Sequence, residues 1–207
     1  MRTTLAIALV LLSLGPTPIA AQQAQPAPAG SPSIELKAGK VWIDGTSTLH
    51  DYTAATTTFT VRGTTAAIGD QESLLEPNAI RELFVEIPVI SLTSKEDGLN
   101  KNLYKALDAS KYPVIAFRLR EYSPVPAEAG VWTIRAAGTL WIAGVERETE
   151  MVLDVRASED ALHVSGSRDL LMTDFGIKPP KLMMGMLKTD NRVVVRFEIV
   201  LSLRQDS

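Results

Sequence analysis

Ser47, His50 and Asp51 place a hydroxyl, an imidazole and a carboxylate close together in sequence, the three roles needed for hydrolytic acyl transfer. Their spacing speaks against that use. Adjacent residues on an extended strand point to opposite faces, so His50 and Asp51 would not orient one another there. Ser47 lacks a nucleophile elbow, and no neighbouring segment reads as an oxyanion hole. Within Trp42-Ile43-Asp44-Gly45-Thr46-Ser47-Thr48-Leu49-His50-Asp51-Tyr52 the polar residues read as turn formers whose side chains bond the local backbone. No catalytic residue is assigned.

Metal chemistry is equally poorly supplied. His50 and His163 are the chain's two histidines, cysteine is absent, and no H-x-x-x-H spacing occurs, so neither a metal nor a cofactor is expected. Glu96-Asp97 and Glu159-Asp160 sit in turn-like contexts and read as solvated surface. Met183, Met184 and Met186 crowd one stretch beside Leu182 and Leu187; flexible thioethers suit a pocket wall, and equally fill gaps in a core strand. Trp42, Trp132 and Trp141 offer the same choice between lining a pocket and anchoring a core.

The elements that would position these residues begin after a leader. Arg2 followed by Leu5-Ala6-Ile7-Ala8-Leu9-Val10-Leu11-Leu12 reads as a secretory signal peptide, residues 1–21, with cleavage near Ala21; the apolar run is too short to span a bilayer. Residues 22–33, rich in Gln, Ala and Pro, read as a flexible tether. Residues 34–207 then form one domain, of a size that supports a sizeable core. A periplasmic destination is expected, with secretion into the medium as the alternative. Without cysteine, stability must come from packing and sheet hydrogen bonds. The formal charge of −3 becomes −4 once Arg2 leaves with the leader, and both signs are mixed along the chain, which gives no reason to expect a nucleic acid partner.

Apolar residues recur mostly with period two, the pattern of half-buried strands. Val193, Val195, Phe197, Ile199, Leu201 and Leu203 share one face. Leu83, Val85, Ile87 and Val89 share another, as do Ile115, Phe117 and Leu119. The same holds for Trp132, Ile134, Ala136, Gly138, Leu140 and Ile142, for Met151, Leu153 and Val155, and for Thr57, Phe59 and Val61. Short turns are predicted at Ala143-Gly144, Ser158-Glu159-Asp160 and Thr189-Asp190-Asn191. Such antiparallel meanders close into barrels or sandwiches. One segment differs: Leu99, Leu103 and Leu107, with Ala106, predict a helix over 98–107, capped by Asp97 and ended before Pro113. It either covers a barrel opening or serves as a connector over core. Phe84 and Val194 read as exposed apolar residues and leave room for a homodimer.

Four stretches together resemble the YceI-like, polyisoprenoid-binding family. They are 41–52; Leu107-Asp108-Ala109-Ser110-Lys111-Tyr112-Pro113-Val114-Ile115-Ala116-Phe117; Ala137-Gly138-Thr139-Leu140-Trp141-Ile142-Ala143-Gly144-Val145-Glu146-Arg147; and Lys178-Pro179-Pro180-Lys181-Leu182-Met183-Met184-Gly185-Met186-Leu187-Lys188-Thr189-Asp190. The chain departs from relatives that open with a His-Ser pair, and it has Leu140-Trp141-Ile142 where Leu-Thr-Ile is common, as a divergent branch would.

The resemblance implies an all-β fold: an extended antiparallel lipocalin-like β-barrel of about eight strands with one short helix. It also implies a non-catalytic binding protein whose partner is a long-chain apolar small molecule, of isoprenoid or fatty-acyl type, held for carriage, storage or stress protection. The residues expected to line its site are Phe59, Ile87, Leu103, Ile115, Phe117, Leu119, Trp132, Ile134, Leu140, Leu153, Met183, Met184, Val195, Phe197 and Ile199. The competing readings are a fully packed barrel that acts through its loops or helix on another envelope component, and a small lipid-ester hydrolase using Ser47. Periodicity alone does not separate a lined tunnel from a filled core.

Overall fold

The computed structural model describes residues 32–66, 69–128, 130–182 and 187–204. The expected leader, all but the last two residues of the expected tether, and Met183 and Met184 lie outside these. The strands are β1 (Ser33–Ser47), β2 (Tyr52–Thr56), β3 (Thr60–Thr65), β4 (Ile80–Pro88), β5 (Val114–Glu128), β6 (Val131–Ile142), β7 (Val145–Ala157), β8 (Leu162–Leu171), β9 (Lys181–Leu182) and β10 (Leu187–Arg204). Antiparallel pairing passes from β1 through β3, β4, β5, β6, β7, β8 and β10, and β10 pairs back with β1, so eight strands close into a barrel. β2 continues the β3 position along the other half of β1. The break between β2 and β3 covers Thr57 and Phe59, which the sequence reading had placed on one strand with Val61.

Alternation works here as expected for strands with one buried face. β10 is the clearest case: Val195, Phe197, Ile199 and Leu201 face the interior, while Arg196 and Glu198 face outward. At the β6–β7 hairpin Ala143 (φ 50°) and Gly144 (φ 77°) both adopt the left-handed conformation of a two-residue turn whose twist matches its strands. The Ser158 hydroxyl donates to Ala161 O at 2.9 Å and accepts from Ala161 N at 3.2 Å, tying the β7–β8 turn. The third predicted turn is absent: Thr189-Asp190-Asn191 lies inside β10, where an irregularity against β1 absorbs the polar residues. Asn191 is used there to hold the neighbouring 3₁₀ turn, accepting from Thr173 N at 3.1 Å and donating to Thr173 Oγ1 at 2.9 Å. The helix α1 spans Asp97–Ala106, so Asp97 is its first residue rather than its cap.

One end of the barrel is sealed. A 3₁₀ turn over Gln71–Leu75, capped by Asp70, drives Leu74 and Leu75 into a cluster with Ile34, Ile134, Val155, Leu162 and Leu203. Tyr122 pins this plug from β5. Its hydroxyl lies 2.8 Å from Glu76 O and 3.2 Å from Leu74 O, and accepts Ile80 N–H at 3.1 Å. Burial holds the phenol above its ordinary value, against the backbone hydrogen bonds, which lower it. The folded state therefore keeps this proton better than the unfolded chain does. That contribution is present below about pH 10 and is lost as pH rises beyond it. Tyr122→Phe is expected to lower unfolding free energy by about 1–3 kcal/mol at neutral pH, because Ile80 N–H loses its acceptor. It should also flatten the alkaline loss of stability, and denaturant melts at neutral and alkaline pH check both.

Candidate functional site

The opposite end is open and bordered by short polar elements. Ser47 organises the turn after β1: its hydroxyl donates to His50 O at 2.8 Å and accepts from Leu49 N and His50 N at 3.2 and 3.3 Å. The Ser47 proton is thus directed to a carbonyl and not to the His50 imidazole. That ring instead places Nδ1 2.8 Å from Asp51 O, and Nε2 3.8 Å from Glu96 Oε1 just ahead of α1. Thr48 is tied to β10 by Thr48 N to Lys188 O at 3.0 Å and Lys188 N to Thr48 Oγ1 at 3.1 Å.

The helix crosses the opening and is held from its two ends. Asn100 Oδ1 accepts Ser94 N at 2.7 Å, and the Tyr104 hydroxyl lies 3.0 Å from both Ile90 O and Leu92 O. None of the ten residues of α1 is fully buried. Its apolar stripe, Leu99, Leu103 and Ala106 with Leu107 beyond, faces a cavity of about 340 Å³. Ile43, Ile115, Phe175 and Ile177 complete the apolar wall, and His50, Tyr52, Glu96, Asn102 and Lys188 stand among the polar residues of the rim. Burial and the carboxylate of Asp190 both push the Tyr52 phenol up from its ordinary value.

Below this lies a second cavity of about 220 Å³ whose walls are almost wholly apolar. Ile43, Ile115, Ile142, Leu170 and Val195 border both spaces and form a waist between them. The interior runs from Val193 to Leu201 along β10, about 26 Å at ~3.3 Å per residue, before the plug at Leu74 and Leu75 ends it.

The predicted lining residues are distributed as follows. Ile87, Phe117, Leu119, Ile134, Leu140, Leu153, Phe197 and Ile199 line the lower cavity, Leu103 the upper, and Ile115 and Val195 both. Phe59 and Trp132 line neither. Phe59 is buried against Val41 and Val61, which line the lower cavity, its ring 2.6 Å from where a Cβ on Gly39 would stand. Trp132 packs against the sealed end. Met183 and Met184 fall outside the described residues. Trp42 and Trp141 face away from the interior, beneath the Lys40 ammonium and bonded to Glu146 Oε2 at 3.1 Å respectively. Phe84 and Val194 are half-buried rather than exposed, and the Arg118 guanidinium covers the Phe84 ring at 5.4 Å, which removes the reason given for a homodimer. Sequence reasoning did not assign Ile43, Leu74, Leu75 and Leu170 to the interior wall.

Comparison with known proteins adds the following. The family model described as the YceI-like domain matches residues 34–201. None of the curated proteins matches significantly. Among solved structures, BcnA of Burkholderia cenocepacia is similar at 16% identity and a TM-score of 0.60, over 78% of this chain and 95% of that one. A polyisoprenoid binding domain from Saccharophagus degradans is similar at 15% identity and a TM-score of 0.59, over 84% of this chain and 99% of that one. A YCEI protein of Campylobacter jejuni follows at 15% identity and 0.53, over 72% and 82%. At these identities the likeness is one of fold.

Proposed function

The chain belongs to the YceI-like domain family, and on that premise we propose that it is a non-catalytic carrier holding a long-chain apolar molecule, of isoprenoid or fatty-acyl type, inside its barrel. The observation that supports this best is the pair of adjoining cavities that share Ile43, Ile115 and Val195 in their walls, the upper one beneath α1 and the lower one ending at Leu74 and Leu75. A narrow, elongated and apolar space suits a chain better than a compact ring system. Each methylene withdrawn from water contributes about 0.8 kcal/mol, so one five-carbon unit gives roughly 4 kcal/mol before ordering losses are subtracted. A few units bind tightly with no polar contact. The Saccharophagus degradans relative, a polyisoprenoid binding domain, supports the same ligand class by analogy. With the leader read at residues 1–21, we place the carrier in the periplasm, or outside the cell.

An environment-sensitive apolar dye tests the reading. It is expected to brighten on binding and to be displaced by long-chain isoprenoids or fatty acids at one per protein. Dye that fails to bind, or that no chain of any length displaces, contradicts the proposal.

A further inference from the structure

Two polar residues border the lower cavity where the barrel wall opens between β7 and β8. Thr149 lines it from β7 at 6% exposure, and its Oγ1 is the one buried side-chain polar atom without a hydrogen-bond partner among the described residues. A hydroxyl left uncompensated in an apolar wall is a net loss to folding that valine, of the same shape, would avoid. Arg168 borders the same cavity from β8, but it is exposed and also borders the polar groove that Arg196 and Glu198 line. The β8–β10 register sets Gly166 opposite Phe197 and Arg168 opposite Val195, so Arg168 starts from an inward register position although its side chain is exposed. Arg62, Arg120, Arg192 and Arg196 each meet a carboxylate, whereas among the described residues none pairs with Arg168, as none does with Arg81, Arg135 or Arg156.

The two groups stand on either side of one seam. β7 and β8 are hydrogen-bonded only from Leu153 to Ala157 and from Leu162 to Gly166. Beyond Leu153 and Gly166 the strands part, with Thr149 on one edge and Arg168 on the other. A guanidinium offers paired donors that match an oxyanion, and a threonine exchanges hydroxyl for methyl on a cavity wall by one χ1 step.

We propose that this seam is the headgroup site of the ligand: the Arg168 guanidinium and the Thr149 hydroxyl hold an oxyanion, carboxylate or phosphate monoester, whose apolar chain lies in the lower cavity. The proposal rests on the carrier reading and narrows its ligand to an anionic amphiphile.

Hexadecanoate, hexadecyl phosphate and hexadecan-1-ol, titrated against dye-loaded protein of the full chain, separate the outcomes. The anions are expected to bind about tenfold or more tighter than the alcohol, and the tighter of the two identifies the headgroup. Arg168→Met should weaken the anions by about tenfold and leave the alcohol within about twofold, with Arg168→Gln as the second variant should the first fail to fold. Thr149→Val should weaken the anions several-fold while the unliganded protein melts no lower than wild type, a pattern that a purely structural threonine would not give. Equal binding of all three ligands by wild type and Arg168→Met overturns the headgroup site and leaves the carrier reading standing: Arg168 is then a solvated cation. Failure of all three to displace the dye overturns both.

Discussion

Gly138→Val is expected to lower the melting temperature by about 6–12 °C or more. A Cβ at this position on β6 would stand 2.3 Å from Arg118 O and 2.6 Å from the Phe117 ring. The nearer atom is backbone, fixed by the β5–β6 ladder that pairs Arg118 with Thr139 and Leu119 with Gly138, so it cannot swing aside as a side-chain tip would. Overpacking of this kind costs about 3 kcal/mol or more, against a typical total stability of about 5–15 kcal/mol. Gly98→Ala is the control. Gly98 lies in α1 with nothing within 4 Å of the new methyl. That exchange should gain about 0.5–1 kcal/mol from helix propensity. Circular-dichroism melts of the two variants check the pair. A Gly138→Val protein that melts within a few degrees of wild type would mean that Phe117 does not pack over β6 as described.

The second large effect falls on binding and not on folding. Val195 is half-buried on an inward face and borders both cavities, so its uncovered surface looks into the passage between them. An indole there should obstruct the waist. Val195→Trp is expected to keep the fold and to lose long-chain affinity by roughly a hundredfold, the equivalent of three or four methylenes denied burial at about 0.8 kcal/mol each. Short chains that fit the upper cavity of about 340 Å³ should bind nearly as before. Titration of a homologous series of fatty acids reads the difference directly. Unchanged affinity for the longest members would place the chain elsewhere.

The parts of the fold legible in the sequence are those where a strand supplies its own buried face. β4, β5, β6, β7 and β10 carry alternating apolar residues, and each resolves into a strand whose alternate side chains face inward. β1 was less legible. Its inward positions include Gly39 and Gly45, and the space above them is filled by the rings of Phe59 and Tyr52. The apolar contribution there comes from residues distant along the chain, which no local periodicity registers. The same exchange puts Phe197 over Gly166 and hides the inward face of β8. Phe59 departs from its pattern for a related reason: its spacing from Val61 matches a strand, but the chain breaks between β2 and β3 and the ring packs over Gly39 of β1. The polar run Thr189-Asp190-Asn191 carries a turn composition that the fold spends on an irregularity in β10. Thr149 could have been found by carrying the Met151–Leu153–Val155 alternation two residues back. Arg168 could not, because Gly166 and Ser167 interrupt the pattern before it.

Periodicity also assigns a face to the interior without saying whether opposite faces meet. That question decides function here, since the barrel walls stand apart at two adjoining cavities and come together at the sealed end around Val155, Leu162 and Leu203. Native mass spectrometry tests it most directly. Protein incubated with vesicles containing a long-chain amphiphile, then freed of them, should carry one molecule per chain in the folded state and release it on acid unfolding, with Val195→Trp carrying far less. A folded wild-type protein that leaves the vesicles without added mass would show that the interior takes no chain.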